Sequence, residues 1–349
     1  MARLEGGIGD LAKDFVCVRV IQMRGIDTSV FQFDYDLTWC GFFLNADLTV
    51  YGRYGSRNAG RDKSDQLMSV DGLKAALTKA LALHKNYPAN KATLKAKTGK
   101  PYAQKLPETM PAIADQFKQD DLPKKCIHCH HVWRGIRRTM MNAKQVLPDT
   151  LIYLYPFPDS FGMQMETADG TKVRQVVKDS IADKAGVKAG DEVEAVSGTP
   201  IVSLADIQFI LQNCADNENL KVEVARGGEK KSLTANLCGD WRKSTDFTWR
   251  DSCYDLRIGF QSEALTADER KQAGLKDGGL KIKPMYAQSP AKKAGFQDGD
   301  ILLSVGGQPI PATEREFLAL LRQKFLVGQK LKFALHRGGK KTDLTMDLP

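Results

Sequence analysis

Ser180-Ile181-Ala182-Asp183-Lys184-Ala185-Gly186-Val187-Lys188-Ala189-Gly190-Asp191 returns, 109 residues further on, as Ser289-Pro290-Ala291-Lys292-Lys293-Ala294-Gly295-Phe296-Gln297-Asp298-Gly299-Asp300. Gly198 and Pro200 recur as Gly307 and Pro309 at the same spacing, and Arg226-Gly227-Gly228 recurs as Arg337-Gly338-Gly339 after a two-residue insertion. Self-similarity of this kind marks a duplicated structural unit. Ala-Gly and Gly-Asp read as two tight turns of positive φ around a short helix, after which Glu192–Val196 or Ile301–Val305 enters a sheet. Ser203–Leu211 and Thr313–Gln323 then supply one longer helix in each unit.

The series Ser-Pro-Ala-x-x-Ala-Gly, x-x-Gly-Asp, strand, Gly-x-Pro resembles the PDZ domains of the bacterial HtrA type. That resemblance implies two PDZ domains, over 157–240 and 254–349, joined by Asp240-Trp241-Arg242 to Trp249-Arg250-Asp251. It also implies that a groove beside each longer helix takes protein C-termini or extended peptides as an added strand. The carboxylate-binding turns would be Ser160-Phe161-Gly162-Met163 and Arg257-Ile258-Gly259-Phe260, whose successive backbone N–H groups form an anion nest. The peptide-binding residues are then Phe161, Gly162, Met163, Ile258, Gly259 and Phe260, with Arg257 adding charge, although the same residues would also make plain apolar turns. HtrA-type PDZ domains usually follow a serine protease domain, but neither Gly-x-Ser-x-Gly nor Gly-Asn-Ser-Gly-Gly occurs in this chain.

At 349 residues, 42% hydrophobic and 27% charged, the chain has room for two or three globular domains. It contains no apolar run of eighteen residues, so no membrane span is expected. The net charge of +9 is scattered among Asp and Glu and forms no basic stripe, which argues against nucleic acid as a partner.

Ahead of the repeat, Phe15–Val20 and Trp39–Leu44 read as strands, Asn45–Leu48 as a hairpin turn into Thr49–Tyr54, and Asp71–Leu83 as a helix with Asp71 as N-cap. Strand, helix, antiparallel hairpin and closing helix resemble the second half of a thioredoxin-like domain, assigned here to 1–95. Trp39-Cys40-Gly41-Phe42-Phe43 resembles the thioredoxin redox motif but has Phe at the second cysteine, so Cys40 reads as a strand residue. The redox motif of such a domain would lie ahead of Phe15, off the front of this chain, leaving the domain incomplete. Met1–Gly7 lacks the apolar core of a signal peptide. Residues 96–156 read as a proline-broken linker with one short helix, Met110–Lys118, and the lysines Lys91, Lys95, Lys97 and Lys100 as a solvated face.

Within that linker Cys126-Ile127-His128-Cys129-His130-His131 carries the spacing of c-type haem attachment: two thioether sulfurs, Cys126 and Cys129, and a proximal nitrogen, His130. A helix with Val132, Ile136 and Met140 on one face and Trp133 adjoining follows. The sixth iron ligand would come from His84, Met140, Met141, Met163 or Met165, with His84 favoured. A second reading is zinc held by Cys126 and Cys129 with two of His84, His128, His130 and His131. A third is a thioredoxin-like dithiol, although Asp120–Lys125 is not the strand that should precede one. Arg134, Arg137 and Arg138 suit haem propionates or a plain solvated face equally. Cys238 and Cys253 flank the joining segment and could pair in an oxidising compartment.

The combination resembles a group of bacterial thioredoxin/PDZ fusion proteins, some of them selenoproteins. The resemblance implies a multidomain α+β protein with an incomplete thioredoxin-like domain, a small helical Cys-x-x-Cys-His segment and two PDZ domains. It further implies a periplasmic or otherwise extracytoplasmic setting and a redox partner protein. The expected function is haem-linked redox work with two peptide-binding modules; the alternative is a peptide-binding adaptor with structural zinc.

Overall fold

The computed structural model describes residues 7–58, 67–100, 102, 104–116, 125–250, 252–253, 256, 258–285 and 287–349. Two compact units emerge: Met1–Ile136 with Tyr153–Trp249, and Arg137–Ile152 with Arg250–Pro349. The helices in chain order are α1 (Ile8–Ala12), α2 (Val70–Lys85), α3 (Lys91–Leu94), α4 (Pro111–Gln116), α5 (Cys129–Asn142), α6 (Asp149–Ile152), α7 (Ile181–Lys184), α8 (Leu204–Asn213), α9 (Ala267–Gln272), α10 (Pro290–Lys293) and α11 (Glu314–Lys324). The strands of the first unit are β1 (Gly41–Leu44), β2 (Val50–Tyr54), β3 (Met163–Met165), β4 (Val173–Val176), β5 (Glu192–Val196), β6 (Thr199–Pro200), β7 (Glu218–Arg226) and β8 (Glu229–Leu237). Those of the second are β9 (Ser262–Ala264), β10 (Leu280–Ile282), β11 (Ile301–Val305), β12 (Gln308–Pro309), β13 (Lys330–Arg337) and β14 (Lys340–Asp347).

In the first unit β1 and β2 form an antiparallel hairpin. Leu73, Ala76, Leu77 and Ala80, one apolar stripe of α2, pack in a cluster with Phe43, Tyr51 and Tyr54 of the hairpin. The N-cap of α2 is Ser69, whose hydroxyl accepts from Gly72 N, and not Asp71, which lies inside the first turn. A hydroxyl outside the helix can turn back onto the free N–H groups, whereas Asp71 already has a helical backbone. The strand expected over Phe15–Val20 does not form, and Val16 and Val18 are 93% and 81% exposed. A strand needs a hydrogen-bonded neighbour, and among the described residues the β1–β2 sheet has two members.

Each half of the repeat builds antiparallel sheet. In the first unit the order is β6-β5-β7-β8, with a separate β3-β4 pair tied to β5 by a Lys172–Glu192 bridge. In the second the order is β14-β13-β11-β10-β9, with β12 on β11, so β9 is an edge strand. Alternation along β7 and β13 sends Leu220, Val222 and Val224, or Leu331, Phe333 and Leu335, into the core. The second core is aromatic: Phe296 lies 5.8 Å from Phe260 and 5.2 Å from Phe333. The short helix of the repeat precedes the Ala-Gly turn, at Ile181–Lys184 and Pro290–Lys293, instead of lying between the two turns.

The repeated Gly-Asp and Arg-Gly-Gly meet in space. Arg226 donates from Nε and Nη2 to the carboxylate of Asp191 at 2.6 and 2.8 Å and from Nη2 to Gly186 O at 2.7 Å. Arg337 does the same to Asp300, at 2.7 Å twice, and to Gly295 O at 2.9 Å. Burial pushes the Asp191 carboxyl up, but the Arg226 hydrogen bonds outweigh it and hold the group below its usual value.

The segment expected to be a plain linker after the first repeat unit belongs partly to the core: Trp241 packs with Leu220, Val222 and Leu237. Cys238 is exposed and Cys253 buried, and no disulfide joins them. Met110–Lys118 is helical at Pro111–Gln116, and the end of that expectation lies outside the described residues.

Candidate functional site

Both predicted carboxylate turns are built the same way. Gly162 has φ +95° and Gly259 φ +98°. A Cβ on either would lie 2.2 Å from the side chain of Ser180 or 2.1 Å from that of Ser289. These two serines open the quoted repeat and N-cap α7 and α10. The serine of the repeat therefore serves two purposes: it caps a short helix and forms the floor on which the glycine turn rests. Phe161 and Met163 enter the first core beside Ile207 and Leu211 of α8. Ile258 and Phe260 are buried, and the Phe260 ring stacks at 6.3 Å on Phe317 of α11. Arg257 lies outside the described residues. Gly259→Ala is expected to strain the turn by about 1 kcal/mol or more. Titration with a peptide bearing a free C-terminal carboxylate should show at least a fivefold weaker Kd, with the circular dichroism of the fold retained.

The two longer helices differ in what covers them. Residues Ala205–Phe209 of α8 are all buried. Asp206 accepts from Lys97 Nζ at 2.8 Å and from Val202 N at 3.1 Å, and faces Arg53 Nη1 at 3.6 Å. Arg53 spreads 3.7 Å over the Phe209 ring and donates to Gln32 O and Lys97 O. Ser56 Oγ donates to Gln208 Oε1 at 2.8 Å, Gln208 Nε2 donates to Tyr155 O, and Tyr155 N donates to Gln212 Oε1. Strand β2 and Tyr155 thus occupy the flank of α8, leaving a small cleft lined by Tyr54, Ser56, Met165, Thr167 and Leu204. Lys97, read from sequence as part of a solvated face, is fully buried here.

In the second unit, Phe317, Leu318 and Leu321 of α11 are buried, and its C-terminal end is held by Arg322, which donates to Cys253 O. Its first residue, Glu314, accepts from Ser262 N on the edge strand β9 at 2.8 Å.

The Cys-His segment enters α5. Cys126 is exposed and Cys129 half-buried, with its thiol pushed up by burial. The rings of His128, His130 and His131 gather at 4.5–5.8 Å between centroids, and His128 N donates to His131 Nδ1. Burial first, then the neighbouring imidazoles and Arg134, hold His131 down at about 4. Cys126 lies three residues ahead of Cys129, and Cys129 and His130 are the first two residues of α5, the order of donors that thioether attachment requires. On the inner face of the helix Trp133 packs against Tyr35, Tyr102 and Tyr155, at 5.1, 5.5 and 6.1 Å. His84 Nδ1 is engaged by Tyr51 OH at 2.8 Å, and Met163 lies in the first core. Among the described residues no three His, Cys, Asp or Glu side chains are placed to hold a metal, and the four-ligand zinc set is not assembled.

The PDZ domain family matches residues 172–226 and 281–325. A protein of Pseudomonas savastanoi pv. phaseolicola named "Probable periplasmic serine endoprotease DegP-like" is 30% identical over 161 residues, covering 45% of this chain and 33% of that protein. Its namesake from Ectopseudomonas mendocina is 27% identical over 195 residues, 54% of this chain and 40% of that one. The chain therefore spans well under half the length of these relatives. Among solved structures, the HtrA3 PDZ domain bound to a phage-derived ligand is 21% identical with a TM-score of 0.22, over 26% of this chain and 81% of that one. The family match falls on both copies of the repeat, including Asp191, Asp300 and the two long helices. The two repeat units of this chain are PDZ domains.

Proposed function

We propose that the chain is an extracytoplasmic peptide-binding protein whose second PDZ domain captures polypeptide C-termini. The observation that carries this reading is the edge strand β9, which runs out of the Gly259 turn beside α11. An incoming peptide would place its carboxylate on the amides of the Ile258-Gly259-Phe260 turn and continue as a strand along β9. The first PDZ domain, with α8 covered by β2 and Tyr155, serves as a docking platform for the chain's own N-terminal part, a thioredoxin-derived lobe over residues 1–95. The periplasmic naming of the relatives supports the location. Calorimetric titration of the whole chain with a short peptide ending in a free apolar residue should show binding that is lost on C-terminal amidation. Equal affinity for both forms would sink the reading.

A second reading rests on the Cys-x-x-Cys-His spacing of Cys126, Cys129 and His130 at the entrance of α5. In this proposal they hold a c-type haem, the sulfurs by thioether bonds and His130 as axial ligand, for a redox partner protein. The haem would supply one-electron chemistry, and the helix, pinned by Trp133, would fix the orientation of the three donors. Protein produced in an oxidising compartment together with haem-attachment machinery should keep its Soret band after denaturation. A colourless protein carrying zinc would replace this reading with the adaptor alternative.

A further inference from the structure

Between Phe15 and Met23 the chain is pinned at both ends and bare in the middle. Phe15 N donates to Ala12 O at 3.1 Å, and the Phe15 ring lies 6.3 Å from that of Phe43 on β1. At the other end Met23 is buried, and its N donates to Ile127 O at 2.8 Å. Every residue from Val16 to Ile21 is exposed and lies in neither helix nor strand. Val20 and Ile21 are 53% and 70% exposed, so with Val16 and Val18 four large apolar side chains stand in water within six positions. A segment lying on a protein surface hides alternate side chains. Here consecutive ones are exposed, so neither side of the segment rests on the molecule.

Beta-branched residues favour strands, and an unpaired apolar strand is a template for another chain. The order of residues says which chain. Val16-Cys17-Val18-Arg19-Val20 reads Val-x-Val-x-Val in either direction. Two copies laid antiparallel about Val18 therefore set Val16 opposite Val20, Val18 opposite Val18 and Phe15 opposite Ile21. One face of that pair carries valine against valine throughout, and such cross-strand contacts stabilise a sheet. Charge selects the same register. Centred on Val18, Arg19 meets the second copy's Cys17; centred on Arg19, or paired in parallel and in register, it would meet another Arg19, and centred on Val16 it would meet Lys13. A strand meant for a foreign partner needs no such palindrome, whereas a two-fold interface must complement itself.

We infer that Val16–Ile21 is a dimerisation strand, and that two copies of this chain pair antiparallel about Val18 across a two-fold axis. The strand that the sequence specifies is completed by the same strand of a second molecule. Neither peptide nor haem enters this pairing. Six residues a side make a small interface, so the dimer is of the weak, reversible kind.

Sedimentation velocity on the whole chain, from about 2 to about 200 μM, should show the average mass rising from one chain towards two. Val18→Lys places two like charges face to face at the axis and should hold the mass at one chain throughout, with the circular dichroism of the fold unchanged. The register is read by thiols. In the double variant Cys17→Ser, Val18→Cys the new thiols sit directly opposite, and glutathione disulfide should join them, one protein disulfide forming as two glutathione thiols are released. In the wild type Cys17 lies diagonal to its copy, beyond disulfide reach, and peptide mass mapping should find that link at least fivefold less. A single-chain mass at every concentration overturns the inference. So does a dimer that Val18→Lys leaves intact, which places the interface elsewhere. Efficient cross-linking of wild type through Cys17 moves the axis and overturns the pairing about Val18.

Discussion

Asp206→Ala is expected to lower the stability of the first unit by about 3–5 kcal/mol. The side chains of Arg53 and Lys97 are each 1% exposed and that of Asp206 2%, so removing the carboxylate strands two cations in the interior. Burial already pushes the Lys97 ammonium below its usual value, with Asp206 pulling the other way. Without Asp206 the lysine folds with a pKa further below its unfolded value. The unfolded chain then binds more protons, so the variant should regain stability as pH rises. Urea unfolding followed by circular dichroism, at neutral and alkaline pH, measures both effects. A loss below about 1 kcal/mol would show that water reaches the cluster. Replacing Arg53, Lys97 and Asp206 together by apolar residues of similar size should recover most of the loss.

Trp133→Ala should cost the same unit about 3–5 kcal/mol, the usual range for emptying a large aromatic site. Trp133 is fully buried, and its ring is surrounded by Tyr35, Tyr102 and Tyr155. Its indole Nε1 is buried without a hydrogen-bond partner among the described residues, so the stabilisation comes from ring contact and Trp133→Phe should retain much of it. The thermal midpoint of the alanine variant should fall by roughly 10 °C. If thioether attachment occurs at Cys126 and Cys129, haem yield should fall with it, since the turn that presents His130 is anchored by Trp133 three residues further on. An unchanged midpoint would mean that the tyrosines close over the gap.

The repeat was legible because its conserved spacing is physical. Gly-Asp and Arg-Gly-Gly recur together since Asp191 meets Arg226 and Asp300 meets Arg337, and the leading serines recur since glycine turns rest on them. Both long helices start within a residue or so of expectation because Ser203 and Thr313 cap them with their own hydroxyls. Lys97 was not legible: it sits in a lysine-rich stretch, and its partner Asp206 is on a helix far along the chain. Phe15–Val20 has the composition of a strand, but composition does not supply a neighbour. At the Cys-His segment the donor spacing was visible. The tyrosines that close its inner side come from three distant stretches, and no periodicity announces them.

The arginine clamps have an evolutionary corollary. Asp300 and Arg337 tie β11 to β13, in the interior of the sheet order, while β9 is its rim. The clamp and the rim thus use different side chains. After an ancestral duplication, one copy could keep leucine and the other acquire glutamate at the head of the long helix without loosening the clamp that both still share. The same arrangement lets the rim of either copy be rewritten for a new tail sequence by laboratory selection while the clamp is left alone.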